Sequence, residues 1–294
     1  MNLAGLGIWT AQFDFHPGAL VRDTVQELEE LGFASLWLGE NVGREPVSQS
    51  AILLGSTQRL VVATAVANIW ARDPLSLLAA QQTLSEAYPG RFILGLGVSH
   101  SRLVNEVRRL HYHRPLRAMA SYLAAMDELS DRYRAVRPQE SVRIIGALGP
   151  RMMQLAATIA DGAHTYLVPP EHTAAARTVL GPGKLLVPEQ AVVLEADRTR
   201  ARDIGRRHLR RYLSLTNYTN NLRRVGFDTD DFEHDGSDRL IDALVAWGDE
   251  ERIARRLAEH RQAGADHVCV QVLDPDVRGL PVEQWRRLAA LVGC

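Results

Sequence analysis

The sequence predicts an α/β fold, a (β/α)8 TIM barrel with a helical insertion before its eighth strand. Short apolar runs alternate with helix-patterned segments along the 294 residues. The runs, such as Leu60–Ala67 and Phe92–Gly97, lack polar alternation, which indicates parallel strands covered on both faces. The chain length suits one such barrel.

Each predicted strand is an uninterrupted apolar run that is bounded by turn residues. In chain order we expect strands at Leu3–Thr10, Ser35–Glu40, Leu60–Ala67, Phe92–Gly97, Val142–Gly146, Gly162–Tyr166, Leu185–Val193 and His267–Val272.

The predicted helices between the strands carry apolar residues at helical spacing. In the first, Val21, Val25, Leu28 and Leu31 recur at this spacing, and Gly32 ends the helix. Pro74 opens another at a first-turn position, where its missing N–H costs little. The helices are expected at Ala19–Leu31, Val47–Leu54, Pro74–Tyr88, Pro115–Tyr133, Pro150–Ala160, Glu171–Leu180, Arg239–Trp247, Glu250–Gly264 and Val282–Leu291.

The alternation of strands and helices breaks after the seventh strand. Arg198–Arg224 is charged and helical in pattern, and Gly226–Asp238 is acidic and rich in turn residues. We interpret the stretch from about 198 to 238 as a lid or dimer element rather than a separate domain. Residues 1–294 are therefore expected to form a single barrel domain.

Composition excludes several classes of partner. The 34 basic and 35 acidic residues give a net charge of −1, so neither a nucleic acid nor an anionic membrane is expected to bind. No apolar stretch has the length of a membrane span, and no basic segment precedes the first strand, which predicts a cytoplasmic protein. The two cysteines, Cys269 and Cys294, match neither a disulfide framework nor a metal knuckle.

Chemistry in such barrels is located at the carboxyl ends of the strands. The residues there are Trp9, Thr10, Glu40, Asn41, Ala67, Asn68, Val98, Ser99, His100, Ala147, Leu148, Gly149, Tyr166 and Gln271. Gly146–Pro150 precedes a helix, so it is either an anion site made of exposed N–H groups or a simple turn. His100, His111 and His113 lack the acidic spacing of a zinc site, and we expect no metal.

The amino-acid patterns of three segments resemble those of a known family. Thr64–Asn68 (TAVAN), the loop Arg72-Asp73-Pro74 and the pattern PGR-ILGLG over Pro89–Gly97 are similar to the luciferase-like flavin and deazaflavin oxidoreductases, in particular the branch that uses coenzyme F420. The resemblance implies a cis peptide at Ala65–Val66 behind the deazaflavin ring and a phosphate held by the turn at Ala147–Pro150. With the strand-end positions, it places the cofactor against Trp9, Glu40, Ala65, Val66, Asn68, Val98, Ser99, Ala147, Leu148, Gly149 and Pro150.

The sequence departs from that branch after the second strand. Many relatives have Asp-His there, whereas this chain has Glu40-Asn41, and Asn41 cannot exchange protons near neutral pH. The catalytic candidates are therefore Glu40 and His100, which titrates near neutrality. Arg72 is interpreted as a ligand of the cofactor's phosphate or acidic tail, as a partner of Asp73, or as a solvated side chain.

Three functions remain open at this point. The first is hydride transfer between F420 and a small organic substrate. The alternatives are an FMN-dependent monooxygenase of the same fold and a barrel that binds a flavin without catalysis. The resemblance also implies a homodimer that packs through helices near the second and third strands, with Val47–Leu54 as the expected contact.

Overall fold

The computed structural model describes residues 1–293 and contains a closed parallel barrel of eight strands. The predicted TIM barrel is therefore confirmed. The strands are β1 Leu6–Thr10, β2 Ser35–Leu38, β3 Val61–Thr64, β4 Ala67–Asn68, β5 Phe92–Gly97, β6 Val142–Gly146, β7 Gly162–Thr165, β8 Leu185–Val193, β9 Val245–Trp247 and β10 Val268–Val272. The barrel runs β1-β2-β3-β5-β6-β7-β8-β10 and closes where β10 pairs with β1.

Helices surround the barrel or lie over the carboxyl ends of its strands. They are α1 Gly18–Glu30, α2 Pro46–Gly55, α3 Pro74–Ala87, α4 Pro115–Ser130, α5 Pro150–Ile159, α6 Pro170–Leu180, α7 Arg198–Leu213, α8 Thr216–Arg224, α9 Asp238–Leu244, α10 Glu250–Gln262 and α11 Val282–Leu288. Short 3-10 helices cover Gln12–Phe15, Asp230–Asp235 and Ala289–Leu291, and a π-helix covers Leu103–Val107. None of these helices within residues 1–293 is long and apolar enough to cross a membrane.

Three predicted elements differ from the structure. The first strand begins at Leu6 rather than Leu3, and the third predicted strand is interrupted, so that β4 follows β3 after a break and pairs with β5. The helix expected over Arg239–Trp247 ends at Leu244, and β9 follows it. The helix prediction for Val245–Trp247 is wrong because β8 continues beyond the end of β7 and its backbone groups pair with β9.

The core has two layers. Residues such as Trp37, Ile93 and Val187 fill the barrel interior, and a larger apolar layer lies between the strands and the surrounding helices. Cys269 is a buried free thiol in the interior layer, and Cys294 lies outside the described residues.

The segment between β8 and β10 forms a third apolar cluster. Residues of α7, α8 and α9 pack there against Leu167, Val193 and Leu273, which follow or end barrel strands. The insertion therefore lies on the carboxyl ends of β7, β8 and β10, where substrates bind in this fold.

Candidate active site

The break in the third strand shapes one side of the barrel mouth. The Ala65–Val66 peptide is cis, as the resemblance implied. A Cβ at Gly95 would lie 2.0 Å from the Thr64 carbonyl oxygen, and one at Gly97 would lie 2.1 Å from Val66 Cγ2. The Gly-x-Gly of β5 therefore serves close packing against this break.

Glu40 occupies the centre of an ion-pair network at the end of β2. Its Oε2 accepts hydrogen bonds from Arg72 Nη1 at 2.7 Å and from the Asn68 N–H at 2.8 Å. Its Oε1 accepts from Arg108 Nη2 at 2.5 Å, and its side chain is only 3% exposed. Both oxygens are thus occupied by donors, so Glu40 joins the ends of three loops.

Arg72 forms ion pairs that were not predicted from the sequence. Besides Glu40 it pairs with Glu45, whose carboxylate also caps α2. Asp73 instead accepts from the Ser76 N–H at 2.9 Å and caps α3. Of the three interpretations of Arg72, the pair with Asp73 is therefore wrong.

Predicted cofactor residues lie together around the break. Trp9 Nε1 donates to the Ala65 carbonyl at 3.3 Å, and Trp70 Nε1 donates to the Val98 carbonyl at 2.8 Å. Asn68 Oδ1 accepts from the Trp70 N–H at 3.0 Å. Asn68 Nδ2 is buried and has no hydrogen-bond partner within residues 1–293, so one donor at this strand end is free for a ligand.

The turn after β6 has the features of an anion site. Gly149 is the N-cap of α5 and makes no side-chain cap, and Pro150 follows it at the first helical position. Arg224 Nη1, from the end of α8, lies 3.7 Å from where a Gly149 Cβ would be. The positive end of the α5 dipole and a guanidinium therefore lie together at Ala147–Pro150.

An aromatic cluster covers the opposite side of the mouth. The Tyr166 hydroxyl donates to Gln271 Oε1 at 2.7 Å and lies 2.9 Å from the Tyr212 hydroxyl and 3.3 Å from His208 Nε2. The Tyr166 ring lies 5.2 Å from that of Trp9. This cluster therefore links the barrel to α7, which carries His208 and Tyr212.

The cluster is electrically neutral except for Arg211, which donates a hydrogen bond to the Tyr212 hydroxyl. Burial, followed by the Arg211 charge, lowers the pKa of His208 to about 3. Burial raises the pKa of Tyr166 well above its ordinary value, and neighbouring Tyr212 and Glu189 act in the same direction. Burial also raises the pKa of Glu189 to about 8.

His100 follows β5, and its ring lies 5.8 Å from that of Tyr218 in α8. Burial, together with Arg211, lowers the pKa of His100, which favours the neutral form of its imidazole. Ser99 adopts a left-handed φ of 56°.

His111 and His113 stack on one another, and no group of three or more His, Cys, Asp or Glu side chains within residues 1–293 could hold a metal ion.

The residues that the insertion contributes to the site were not predicted from the sequence. Tyr166 and Gln271 were identified as strand-end residues, but His208, Tyr212 and Arg224 were not. The one available signal was the i, i+4 spacing of His208 and Tyr212, which places both on one face of a helix.

Part of the chain is similar in sequence to curated proteins. A Mycobacterium tuberculosis protein provisionally named a coenzyme F420-dependent oxidoreductase is 28% identical over 186 residues, which are 53% of this chain and 52% of that protein. The chain spans about half the length of the curated relatives it matches.

Solved structures share the fold over nearly the whole chain. An F420-dependent secondary alcohol dehydrogenase in complex with an F420–acetone adduct has a TM-score of 0.78 at 14% identity, covering 99% of this chain and 98% of that one. A type II Baeyer–Villiger monooxygenase from Pseudomonas putida in complex with FMN has a TM-score of 0.69 at 12% identity, covering 98% and 96%. At these identities the likeness shows the fold alone.

The model of one protein family covers most of the chain. Residues 10–267 match the family described as luciferase-like monooxygenase. This chain therefore belongs to the luciferase-like monooxygenase family.

Proposed function

We propose that this chain is an oxidoreductase that uses coenzyme F420 and transfers a hydride between the deazaflavin and a small organic substrate. One observation carries the proposal. A buried donor without a partner, Asn68 Nδ2, and a helix N-terminus without a side-chain cap, at Gly149, both lie at the same barrel mouth. A ring with hydrogen-bonding edges and a phosphate fit these two features. The name of the M. tuberculosis relative supports the choice of F420.

The ring would lie against the break in the third strand. Ala65 and Val66 offer an apolar surface, Trp9 is held against it by its bond to Ala65, and Asn68 Nδ2 would donate to a ring oxygen or nitrogen. Val98 and Ser99, at the end of β5, would border the chain that leads from the ring. These contacts bind and orient; they supply no charge to the ring.

The phosphate would bind at the turn Ala147–Pro150. The first N–H groups of α5 have no side-chain cap, and Arg224 adds a positive charge beside them. An anion there gains from both the helix dipole and the guanidinium.

The bound deazaflavin would supply the hydride, and this chain would supply position, shielding and a proton. Trp9, Tyr212 and Tyr218 are each less than a tenth exposed, so the mouth excludes much of the surrounding water. Glu40 bonds to Arg72, Arg108 and the end of the third strand, and these contacts favour a positioning role for it over the acid role expected from the sequence. His100 remains a candidate proton donor.

A binding titration tests the cofactor. We expect F420 to bind with a Kd in the low micromolar range or tighter, about −7 to −9 kcal/mol. Arg224→Ala should weaken F420 binding about 10- to 150-fold, since a charge-assisted hydrogen bond contributes about 1.5–3 kcal/mol. The matched control is Arg223→Ala, because the Arg223 guanidinium lies over the Phe232 ring, 5.0 Å from its centroid.

The titration also separates the alternatives. Saturable FMN binding without F420 binding would favour the FMN-dependent monooxygenase. The P. putida structure that shares this fold is a monooxygenase in complex with FMN. Binding of F420 without turnover of any substrate in a broad screen would favour the non-catalytic barrel.

We also propose a homodimer that packs through α2, where Ile52 is 49% exposed although its neighbours Leu53 and Leu54 are buried. An exposed apolar side chain on a helix that is otherwise apolar suits such a face. A cytoplasmic location stays a prediction.

A further inference from the structure

We infer that Tyr166 donates the proton in this reaction, and that the substrate carries an oxygen on or conjugated to the carbon that exchanges the hydride. Ketones, enones and secondary alcohols are the class. The inference rests on the proposed function and extends it from the cofactor to the substrate side of the mouth.

The first argument is the direction of the hydrogen bonds. Arg211 donates to the Tyr212 hydroxyl, and Tyr166 donates to Gln271 Oε1 at 2.7 Å. The 2.9 Å contact between the two hydroxyls then has Tyr212 as donor and Tyr166 as acceptor. A guanidinium thus terminates a chain that leads to the Tyr166 oxygen, and such chains polarise each member.

The second argument is position. Trp9 joins the two sides of the mouth: its indole N–H bonds to Ala65 at the break, and its ring lies 5.2 Å from the Tyr166 ring. Tyr166 is only partly buried, whereas Tyr212 is 8% exposed. Of the two tyrosines whose hydroxyls contact each other, Tyr166 is therefore the one that lies between the break and the chain of hydrogen bonds.

The third argument is the state of the other candidates. Both oxygens of Glu40 accept bonds from arginine or backbone donors, so neither oxygen acts as a donor in the structure. The His100 side chain makes no hydrogen bond to residues 1–293 and has no chain of donors behind it. Tyr166 has a donor proton, which Gln271 Oε1 accepts in the structure, and its oxygen accepts from the Tyr212 hydroxyl.

The step balances as follows. The reduced deazaflavin would supply the hydride, with its two electrons, to the carbonyl carbon. The C=O π pair would move to the oxygen, which would form an O–H bond with the Tyr166 proton as that proton leaves its hydrogen bond to Gln271 Oε1. The phenolate at Tyr166 is held by the Tyr212 hydroxyl and then regains a proton from water; alcohol oxidation is the reverse.

The experiment uses the F420-loaded protein with four probes: cyclohexanone and cyclohexenone with the reduced cofactor, cyclohexanol with the oxidised cofactor, and the imine pyrroline as a substrate without oxygen. We expect turnover of at least one oxygen-bearing probe. Tyr166→Phe should lower kcat on it by about 10²–10⁴-fold, with KM and the F420 Kd unchanged. Tyr212→Phe should cause a smaller loss of kcat, since Tyr212 acts through Tyr166.

Two variants serve as comparisons. Tyr88→Phe, at the end of α3, should behave as wild type. Tyr218→Phe removes a hydroxyl from the same ring cluster, and that hydroxyl makes no hydrogen bond within residues 1–293, so its loss of kcat should be at least tenfold smaller than that of Tyr166→Phe. Equal melting temperatures show that each variant is folded.

Several outcomes would overturn the inference while the proposed function stands. They are F420 binding with turnover of pyrroline alone, F420 binding with no turnover of any oxygen-bearing probe, wild-type kcat in Tyr166→Phe, and equal losses in Tyr166→Phe and Tyr218→Phe. Failure to bind F420 is a separate result and removes the proposed function itself.

Discussion

The replacement Glu40→Gln tests whether this carboxylate anchors the mouth or donates a proton. Removing one partner of a buried ion pair costs about 3–5 kcal/mol. Here the Arg72 and Arg108 side chains are 16% and 26% exposed, so water screens part of that cost, and glutamine keeps one acceptor oxygen. We therefore expect the free energy of unfolding to fall by about 2 kcal/mol.

The assay is urea unfolding followed by tryptophan fluorescence, with the melting temperature as a second measure. A loss of about 2 kcal/mol should lower the melting temperature by about 4 °C in a protein of this size. The matched control is Glu45→Gln, which removes the other carboxylate that pairs with Arg72. Because the Glu45 side chain is 43% exposed, its replacement should cost about 1 kcal/mol or less.

Two results would refute this reasoning. Equal stability of Glu40→Gln and wild type would mean that the ion pairs contribute nothing net. Unchanged stability with a fall in kcat of about 10²–10⁴-fold would assign the general acid to Glu40, as the sequence suggested.

Three further predictions concern packing, pH and assembly. Gly97→Ala should lower the free energy of unfolding by about 1–3 kcal/mol, because the added Cβ would lie 2.1 Å from Val66 Cγ2. In the control Gly146→Ala the added Cβ lies 3.4 Å from Val66, so the loss should be smaller. Equal urea midpoints of the two variants would contradict this. Burial raises the pKa of Glu189 from 4.5 to about 8, so between these values the folded state holds a proton that the unfolded state has lost. The free energy of unfolding should then fall between about pH 5 and pH 8, by up to about 1.4 kcal/mol per pH unit. Glu189→Gln should flatten this dependence when unfolding is measured at several pH values. Equal slopes for the wild type and the variant would contradict the prediction. Sedimentation should show a dimer that Ile52→Lys dissociates, and a wild-type species of only 32.6 kDa at micromolar concentration would count against it.

The sequence predicts the barrel well because buried parallel strands are encoded locally, as continuous apolar runs. It fails at Val245–Trp247, where the helical pattern of the preceding residues continues into the segment. These residues form a strand because β8 extends past β7 and its backbone groups there need partners. That requirement comes from the length of a strand about fifty residues earlier and leaves no local pattern.

The strand ends of the site are equally accessible to prediction, because parallel strands bring Trp9, Asn68, Tyr166 and Gln271 to one edge of the barrel wherever they occur in the chain. The insertion is different. His208 and Tyr212 enter the site only because α7 packs back over the ends of β7 and β10, and that depends on the third apolar cluster as a whole.

Glu40 shows why residue type alone did not settle the chemistry. A carboxylate at a strand end is equally suited to donate a proton or to hold cations, and its partners decide which. Those partners, Arg72 and Arg108, lie 32 and 68 residues along the chain, in two different loops. Because both oxygens of Glu40 accept bonds from these partners, Glu40 acts as an acceptor in the structure, and Tyr166, whose hydroxyl is a donor, is the group that we propose as the source of the proton.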